Sequence, residues 1–145
     1  MIINSKYNFL IPLRVKKLIR LGRNFDVGYL VCENTLKYCE NLITFGVGDD
    51  LSFEIDFYKK VKKKKIYLFD YTVNHNLFLR IILKYLRRLT TFRSKFKNLT
   101  YSIQNFYNFV KFINKNNVFF YKLRVVKKIQ KKFDIKLCKI FEKIN

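Results

Sequence analysis

One stretch constrains the fold of this chain more than any other. A short apolar run, Leu42–Gly46, ends in a glycine with Gly48 just beyond it, and a second run, Ile66–Asp70, ends in a carboxylate. Between them lies a segment with helical spacing. Gly46 allows a sharp turn, and Gly48 lets a ligand approach the backbone because no Cβ is in the way. The pattern predicts a β-α-β unit whose first turn can hold a nucleotide-like ligand.

The acid at the end of the second run supports this interpretation. Asp70 follows Gly48 by 22 residues, close to the ~20 expected for an acid that binds both hydroxyls of a ribose. Asp50 or Ser52 can cap the intervening helix, and Glu54 lies in its first turn, where the helix dipole favours a carboxylate. The alternative is an ordinary strand-turn-helix that binds nothing.

Composition adds one strong signal, the charge. The chain has 145 residues, half of them hydrophobic, with 16 Phe and 10 Tyr. This length and composition predict a single domain with a buried hydrophobic core. Its formal net charge is +21. Such an excess indicates an anionic partner, such as nucleic acid, a membrane surface or a phosphorylated substrate. The competing explanation is AT-rich coding, which enriches Lys, Asn, Ile, Phe and Tyr without selection for anion binding.

The charge is also uneven, because residues 71–145 hold 18 basic and only 2 acidic residues. Three scattered cysteines and the single His75 form neither a disulfide framework nor a Cys/His zinc site, so no metal is predicted. We expect reduced thiols and a cytoplasmic location. Neither a signal peptide nor an apolar run of membrane-spanning length is evident.

The chain divides into four segments. Residues 13–41 form a lead-in with a hairpin whose return strand includes Gly28–Cys32, and residues 42–73 form the β-α-β unit. Residues 74–116 form a basic helical insertion of two amphipathic helices, and residues 117–145 hold a third strand and a last helix. The predicted class is α/β, a partial Rossmann-like open sheet with an αα insertion after the second strand.

Several details of this prediction can be checked. The run Leu42–Gly46 is apolar enough for a central strand buried on both faces. The third strand is Val118–Leu123, and the last helix covers Lys131–Lys143. Apolar residues at helical spacing are expected to face the core; they are Phe53, Phe57 and Val61 in the first helix, Leu77, Phe78, Ile81, Ile82, Tyr85, Leu86 and Leu89 in the next, Ile103, Phe106, Phe109, Val110 and Ile113 in the third, and Phe133, Leu137, Ile140 and Phe141 in the last.

For the two insertion helices a second interpretation is open, because their polar side is almost wholly cationic. Their apolar stripes are either core or a face that docks on a membrane surface or an acceptor. A related hypothesis makes the chain a non-enzymatic basic protein that binds nucleic acid or an anionic membrane surface through residues 76–132. No recognised nucleic-acid motif is present, which counts against a nucleic-acid partner.

Four elements together resemble a known family. They are Arg20–Gly22, Asp26–Val31, Thr44–Glu54 (Thr-Phe-Gly-Val-Gly-Asp-Asp-Leu-Ser-Phe-Glu) and Leu68–Val73. Their order and spacing resemble the opening of the FkbM-type S-adenosylmethionine-dependent methyltransferases, which have a class I methyltransferase fold. The resemblance covers roughly residues 18–73 and extends weakly through Val118–Val125.

The resemblance implies a cofactor, S-adenosyl-L-methionine, and an acceptor hydroxyl on a sugar or glycan. It places Gly46 and Gly48 under the amino-acid part of the cofactor and Asp70 on the ribose hydroxyls. Tyr71 then flanks the adenine. The candidates for the cofactor's ammonium group, directly or through water, are the acids around the helix start, with helix capping as the alternative role; they are Asp49, Asp50 and Glu54. Asp26 and Tyr29 are candidates for the pocket rim, and no catalytic base is identified.

The chain also departs from the family. Val27 stands where the family usually has a second glycine, and Arg124 replaces a frequent small residue after the third strand. No stretch matches the Lys-(Ile/Met)-Asp-(Ile/Val)-Glu-Gly-like segment that follows in the family. We therefore expect the chain to be a truncated amino-terminal portion of such a methyltransferase that forms a single incomplete domain, with loss of activity as the alternative to a working enzyme.

Overall fold

A three-stranded parallel sheet organises a mixed α/β structure. The computed structural model describes residues 17–24, 28–61 and 65–144. Asp26 and Val27 lie outside these ranges, as do residues 1–16. The described elements, in chain order, are β1 (Leu18–Leu21), β2 (Tyr29–Cys32), α1 (Glu33–Leu36), β3 (Asn41–Phe45), α2 (Ser52–Lys60), β4 (Lys65–Phe69), α3 (His75–Thr90), α4 (Phe96–Ile113), β5 (Val118–Tyr121), β6 (Arg124–Val125), β7 (Asp134–Ile135) and α5 (Leu137–Ile144).

The main sheet has the strand order β3-β4-β5, with every described pair parallel. Strand β4 is the central one, and it is buried from Ile66 to Phe69. The prediction that Leu42–Gly46 is a central strand buried on both faces is wrong. Among the described strands β3 lies at the edge of the sheet, and Phe45 is 46% exposed, because only β4 pairs with it.

The larger hydrophobic core lies on the face of the sheet that α2 and α4 cover. Its sheet residues include Ile66, Leu68 and Val118, and Phe57, Phe109 and Phe112 reach it from the helices. The predicted stripe of α2 is confirmed, since Phe57 and Val61 are buried and Phe53 packs against this core. The burial of these aromatic rings removes much apolar surface from water, which is the main stabilising contribution to such a fold.

The opposite face of the sheet carries a row of aromatic rings and a smaller core. Phe45, Phe69 and Tyr121 lie side by side on the three strands, with 5.6 Å and 4.9 Å between successive ring centroids. Tyr67 stacks on Phe119 in the same way, at 5.3 Å. Tyr67, Phe69 and the fully buried Ile140 of α5 form the core of this face.

The predicted αα insertion is present between β4 and β5, as the helices α3 and α4. Phe78 and Phe109 pack together with 4.9 Å between ring centroids, and both are buried. The predicted burial of the stripes is only partly correct. Leu86 of α3 and Ile103 of α4 are 43% and 48% exposed, because the neighbouring helix covers a narrower sector than the apolar residues occupy.

The carboxyl-terminal segment differs most from expectation. Strand β5 ends at Tyr121, and residues 131–136 contain the short strand β7 instead of helix. Residues 130–134 form a turn in which Asp134 accepts from the amides of Gln130 and Lys131, and the helix starts only at Leu137. Phe133, Leu137 and Phe141, which were predicted to face inward, are each about half exposed, and Ile140 is the buried one.

The predicted hairpin is confirmed, since β1 and β2 pair antiparallel and form a separate two-stranded sheet. The link after it is helical at Glu33–Leu36, and Asn41 already belongs to β3. Cys32, Cys39 and Cys138 are free thiols. Within the described ranges no helix combines the length and the apolar character that crossing a bilayer requires.

Candidate functional site

The candidate site lies where β3 and β4 end at the carboxyl edge of the sheet. The amide of Gly46 donates to the Phe69 carbonyl at 3.0 Å, which extends the ladder one residue beyond β3. The backbone then turns through Gly46 (φ +71°) and Gly48 (φ +67°), a left-handed conformation that L-residues with a Cβ rarely adopt. A Cβ at either glycine would meet no atom within 4 Å, so this turn borders open space.

Asp70 joins the glycine turn to the loop after β4. Its Oδ2 accepts a hydrogen bond from the Gly48 amide at 3.1 Å. Its Oδ1 accepts from the Thr72 amide at 2.7 Å, the Thr72 hydroxyl at 2.6 Å and the Val73 amide at 3.2 Å. Oδ1 is therefore fully engaged, whereas Oδ2, with one donor, retains a free lone pair.

These contacts decide the protonation of Asp70. Burial alone would raise the pKa of this carboxyl, but the hydrogen bonds from Thr72, Gly48 and Val73 stabilise the carboxylate and together hold the pKa below its usual range. Asp70 is only 6% exposed. The site thus contains a buried, ionised acceptor beside the glycine turn at neutral pH.

A cleft of about 400 Å³ opens beside this carboxylate. Pockets that bind small molecules typically measure ~300–1,000 Å³ and combine apolar walls with a few polar groups. The cleft has that character, because aromatic rings and backbone from the strand ends surround the acid and one guanidinium. Its lining residues are Phe45, Gly46, Phe69, Asp70, Tyr71, Thr72, Leu123, Arg124 and Val125.

Arg124 forms the far wall of this cleft and is held from behind. Its guanidinium bonds to both carboxylate oxygens of Asp134, with Nε to Oδ1 at 2.9 Å and Nη2 to Oδ2 at 3.2 Å. It also lies 5.5 Å from the centre of the Tyr71 ring. Tyr71 is 45% exposed. A paired, stacked arginine of this kind keeps the aromatic ring at the cleft without leaving a strong unpaired charge.

A second polar feature lies between β3 and the start of α2, outside the lining of the cleft. Glu54, in the first turn of α2, is only 4% exposed, and its Oε2 has no hydrogen-bond partner in the described structure. The Oγ1 of Thr44 on β3 is buried and equally without a partner. Burial raises the pKa of the Glu54 carboxyl, an effect that hydrogen bonding from its own backbone offsets in part. A buried acceptor without a donor is destabilising, which makes it a candidate for ligand or water binding.

The other two predicted acids are placed differently. Asp50 accepts from the amide of Ser52, the first residue of α2, at 2.9 Å, although the N-cap residue itself is Leu51, and it pairs with the Arg23 guanidinium at 2.9 Å. Asp49 is exposed in the turn. Arg23 also donates to Asn105 at 2.6 Å and lies over the Tyr101 ring at 3.5 Å, which ties the hairpin to α4.

The structure therefore brings Gly46, Gly48, Asp70 and Tyr71 to one edge, whereas Glu54 is buried in the first turn of α2 and is not part of the cleft lining. Asp50 is engaged by Arg23, and Asp49 faces solvent. Sequence reasoning missed the roles of Thr44, Thr72 and Arg23. Thr72 follows the strand-end acid by two residues, a spacing at which Asp commonly binds backbone and hydroxyl donors. No comparable signal marks Thr44 or Arg23, whose partners are distant in the chain.

His75, the only histidine, is exposed at the start of α3 and packs edge-on against Phe106. Among the described residues no group of three or more His, Cys, Asp or Glu side chains is arranged to hold a metal ion. Comparisons of the chain with protein-family models, with curated proteins and with solved structures found no match.

Proposed function

We propose that the cleft at the carboxyl edge binds S-adenosyl-L-methionine and that the protein is a methyltransferase of the FkbM type, with a sugar or glycan hydroxyl as acceptor. The observation that carries the proposal is the contact of 3.1 Å between the Gly48 amide and Asp70 Oδ2, at the mouth of an open cleft. It joins the two sequence elements on which the resemblance depends.

The residues present fit such a cofactor in three respects. The glycine turn borders open space, so backbone can approach a ligand there. Phe45, Phe69 and Tyr71 supply apolar and aromatic walls suited to an adenine ring. The unpartnered Oε2 of Glu54 is an acceptor that a nearby ammonium group, or a water bound to it, would satisfy.

The fit differs from the expectation in one respect. Binding of both ribose hydroxyls by Asp70, as expected, requires two free carboxylate oxygens. In the structure Oδ1 already accepts hydrogen bonds from Thr72 and Val73. Only Oδ2 is available, so Asp70 offers one charge-assisted hydrogen bond to a hydroxyl. Its further role is to hold the loop after β4 against the glycine turn, and thereby to shape the cleft.

We further propose that the parallel order β3-β4-β5 is one half of a Rossmann-like, doubly wound sheet, in which ligands bind at the carboxyl ends of the strands. The cofactor, when bound, supplies an activated methyl group on a sulfonium. The protein's part is to bind and orient the reactants and to exclude water from them. The described residues include no histidine in the cleft, so we assign no general base.

Calorimetric titration with S-adenosylhomocysteine tests the proposal. We expect saturable binding by the wild-type chain and a loss of roughly fivefold to thirtyfold in affinity for Tyr71→Ala, because an aromatic contact in a cleft contributes about 1–2 kcal/mol. Tyr71 is half exposed, so this variant is expected to fold. The matched control is Tyr38→Ala, which removes a tyrosine ring that is 83% exposed and lies outside the cleft.

A second pair of variants locates the polar contact. Asp70→Asn is expected to weaken S-adenosylhomocysteine binding, and Asp49→Asn, in the exposed turn, is expected to leave it unchanged. Absence of binding by the wild-type chain at millimolar ligand would contradict the proposed cofactor. Binding that survives both Tyr71→Ala and Asp70→Asn would remove the cleft from the site.

A further inference from the structure

The helical insertion carries a surface that the cofactor cleft does not explain. Three leucines of α3, at positions i, i+4 and i+7, form one exposed stripe: Leu79, Leu83 and Leu86, which are 49%, 62% and 43% exposed. This leucine stripe lies ~100° around the helix from Phe78, which is buried in the core, and so borders the core face of α3. The apolar sector of α3 is thus wider than the part that the rest of the molecule covers.

A basic stripe lies beside it. Arg80, Lys84 and Arg87 each follow one leucine of the stripe, which places them ~100° further around the helix. Together with Arg88 and Arg93 they line an open cavity with a volume of about 790 Å³. The chain has no Asp or Glu between residues 71 and 133. Within the described residues none of these five cations forms an ion pair.

Two further aromatic rings are exposed at the end of the helical hairpin, in the turn that joins α3 to α4 and at the start of α4. Phe92 is 98% exposed and has a left-handed backbone (φ +54°), which is unusual for a residue with a bulky side chain. Phe96, at the start of α4, is 68% exposed. Both lie next to basic residues, Arg93, Lys95 and Lys97. The end of the helical hairpin therefore presents two solvent-exposed phenylalanines whose neighbours in the sequence are cationic.

We propose that this surface, formed by the leucine stripe, the basic stripe and the Phe92–Phe96 turn, docks on a bilayer that contains anionic lipids. Amphipathic helices with leucine and phenylalanine on one side and arginine and lysine on the other lie in the interface between headgroups and acyl chains. With the leucine stripe in that interface, the neighbouring arginines reach the phosphate groups through their flexible stems.

The same features count against the other occupants. A second copy of the chain would bring two basic stripes together, and like charges in an interface cost several kcal/mol. A nucleic acid would satisfy the cations, but its charged phosphate backbone offers no apolar phase that could take three exposed leucines out of water. An anionic bilayer complements both the charge and the apolar side chains. This inference does not depend on the cofactor cleft.

Co-sedimentation with vesicles tests it. We expect the wild-type protein to bind vesicles of phosphatidylcholine with phosphatidylglycerol and to leave phosphatidylcholine vesicles largely unbound, since cations near an anionic surface supply much of the attraction. The double variant Leu83→Ser/Leu86→Ser keeps the charge and is expected to bind the anionic vesicles at least tenfold more weakly. Both side chains are exposed, and circular dichroism checks that the helices persist.

The charge contribution has a matched control. Arg87→Gln/Arg88→Gln is expected to weaken binding to the anionic vesicles roughly tenfold to thirtyfold, because each cation near the surface contributes about 1 kcal/mol. Lys127→Gln/Lys128→Gln removes the same charge from two exposed residues of another loop. It is expected to lower binding about threefold or less.

Three results would overturn the proposal. The first is failure of the wild-type protein to bind the anionic vesicles, and the second is equal binding by wild type and Leu83→Ser/Leu86→Ser. The third is displacement of the wild-type protein from vesicles by poly-uridylate RNA, with RNA affinity unchanged in the leucine variant but lowered in Arg87→Gln/Arg88→Gln. That third result would instead make the basic stripe a nucleic-acid site.

Discussion

Two buried acids, Asp70 and Glu54, show how hydrogen bonding decides the state of a carboxyl group. Both are less than a tenth exposed. Asp70 receives four hydrogen bonds and has a lowered pKa, whereas Oε2 of Glu54 has no partner and the pKa of that carboxyl is raised by burial. The first acid stabilises the fold when ionised, and the second does so when protonated.

The lowered pKa of Asp70 makes its contribution pH-dependent. We expect Asp70→Asn to lower the free energy of unfolding at pH 7 by about 1–3 kcal/mol, because several hydrogen bonds to a charged acceptor are weakened. The wild-type advantage is fully present above the unfolded pKa of ~3.9 and is lost as the pH falls through the lower folded value.

Urea unfolding of both chains from pH 7 to pH 3 measures this difference. The exposed Asp49→Asn is the matched control and is expected to change stability by less than ~0.5 kcal/mol. If the unfolding free energy of Asp70→Asn stayed below that of wild type by the same amount down to the lowest pH, the cause would be the shape of the side chain and not its charge.

The contribution of Glu54 to stability depends on pH in the opposite direction. Its folded pKa is raised, so its stabilising contribution is present below the unfolded value of ~4.3 and is lost as the pH rises through the folded pKa. We therefore expect Glu54→Gln to stabilise the ligand-free protein at pH 8 by about 1 kcal/mol, because a neutral amide avoids burying a charge and can donate to Thr44.

The measurement is the unfolding free energy of wild type and Glu54→Gln at pH 5 and pH 8, with a larger gain expected at pH 8. The same variant is expected to weaken S-adenosylhomocysteine binding. A variant that is less stable than wild type at pH 8 would mean that Glu54 is satisfied in solution, for instance by a bound cation or water.

At the scale of elements, the turn between β3 and α2 depends on its backbone conformation. Gly48 has a φ of +67° and no neighbouring atom where a Cβ would lie. We expect Gly48→Ala to cost about 1–2 kcal/mol of unfolding free energy through the left-handed φ alone. Gly48→Asn should cost less, because Asn tolerates this conformation better than Ala.

Thermal or urea unfolding of the two variants distinguishes strain from crowding. If Gly48→Asn proved more destabilising than Gly48→Ala, the larger side chain would be meeting atoms, and the turn could not border open space. That order would also weaken the cofactor proposal, which requires room for a ligand at this turn.

At the scale of the whole molecule, the net charge of +21 is the dominant electrostatic feature. The ion pairs among the described residues are Arg23–Asp50, Lys59–Asp56 and Arg124–Asp134, which leave most cations uncompensated. Self-repulsion of this size destabilises the compact state, and salt screens it over ~8–10 Å at 0.1–0.15 M ionic strength.

We therefore expect the unfolding temperature to rise by roughly 2–8 °C when sodium chloride is increased from ~0.01 M to ~0.15 M. Differential scanning calorimetry measures the change, and an isosmotic sucrose series controls for effects that are not ionic. A fall in unfolding temperature on adding salt would show that the three ion pairs outweigh the repulsion among the excess cations.

Local pattern by itself determined the hairpin, the β-α-β unit, the paired helices of the insertion and the glycine turn with its strand-end acid. Each depends on spacing within a few residues, on the left-handed conformation that glycine allows, or on apolar periodicity, and these act over short distances. The excess of positive charge also follows directly from the sequence, but the sequence did not identify the partner that this charge would bind.

Only the tertiary structure decided which strand is central, which carboxylates are free and how far the apolar stripes are covered. Among the described strands β3 lies at the edge because its neighbours are set by long-range pairing, and Asp50 is engaged because Arg23, just after β1, pairs with it. The leucine stripe of α3 stays exposed because no other described element packs there. Such outcomes depend on contacts between distant residues, and no local pattern encodes them.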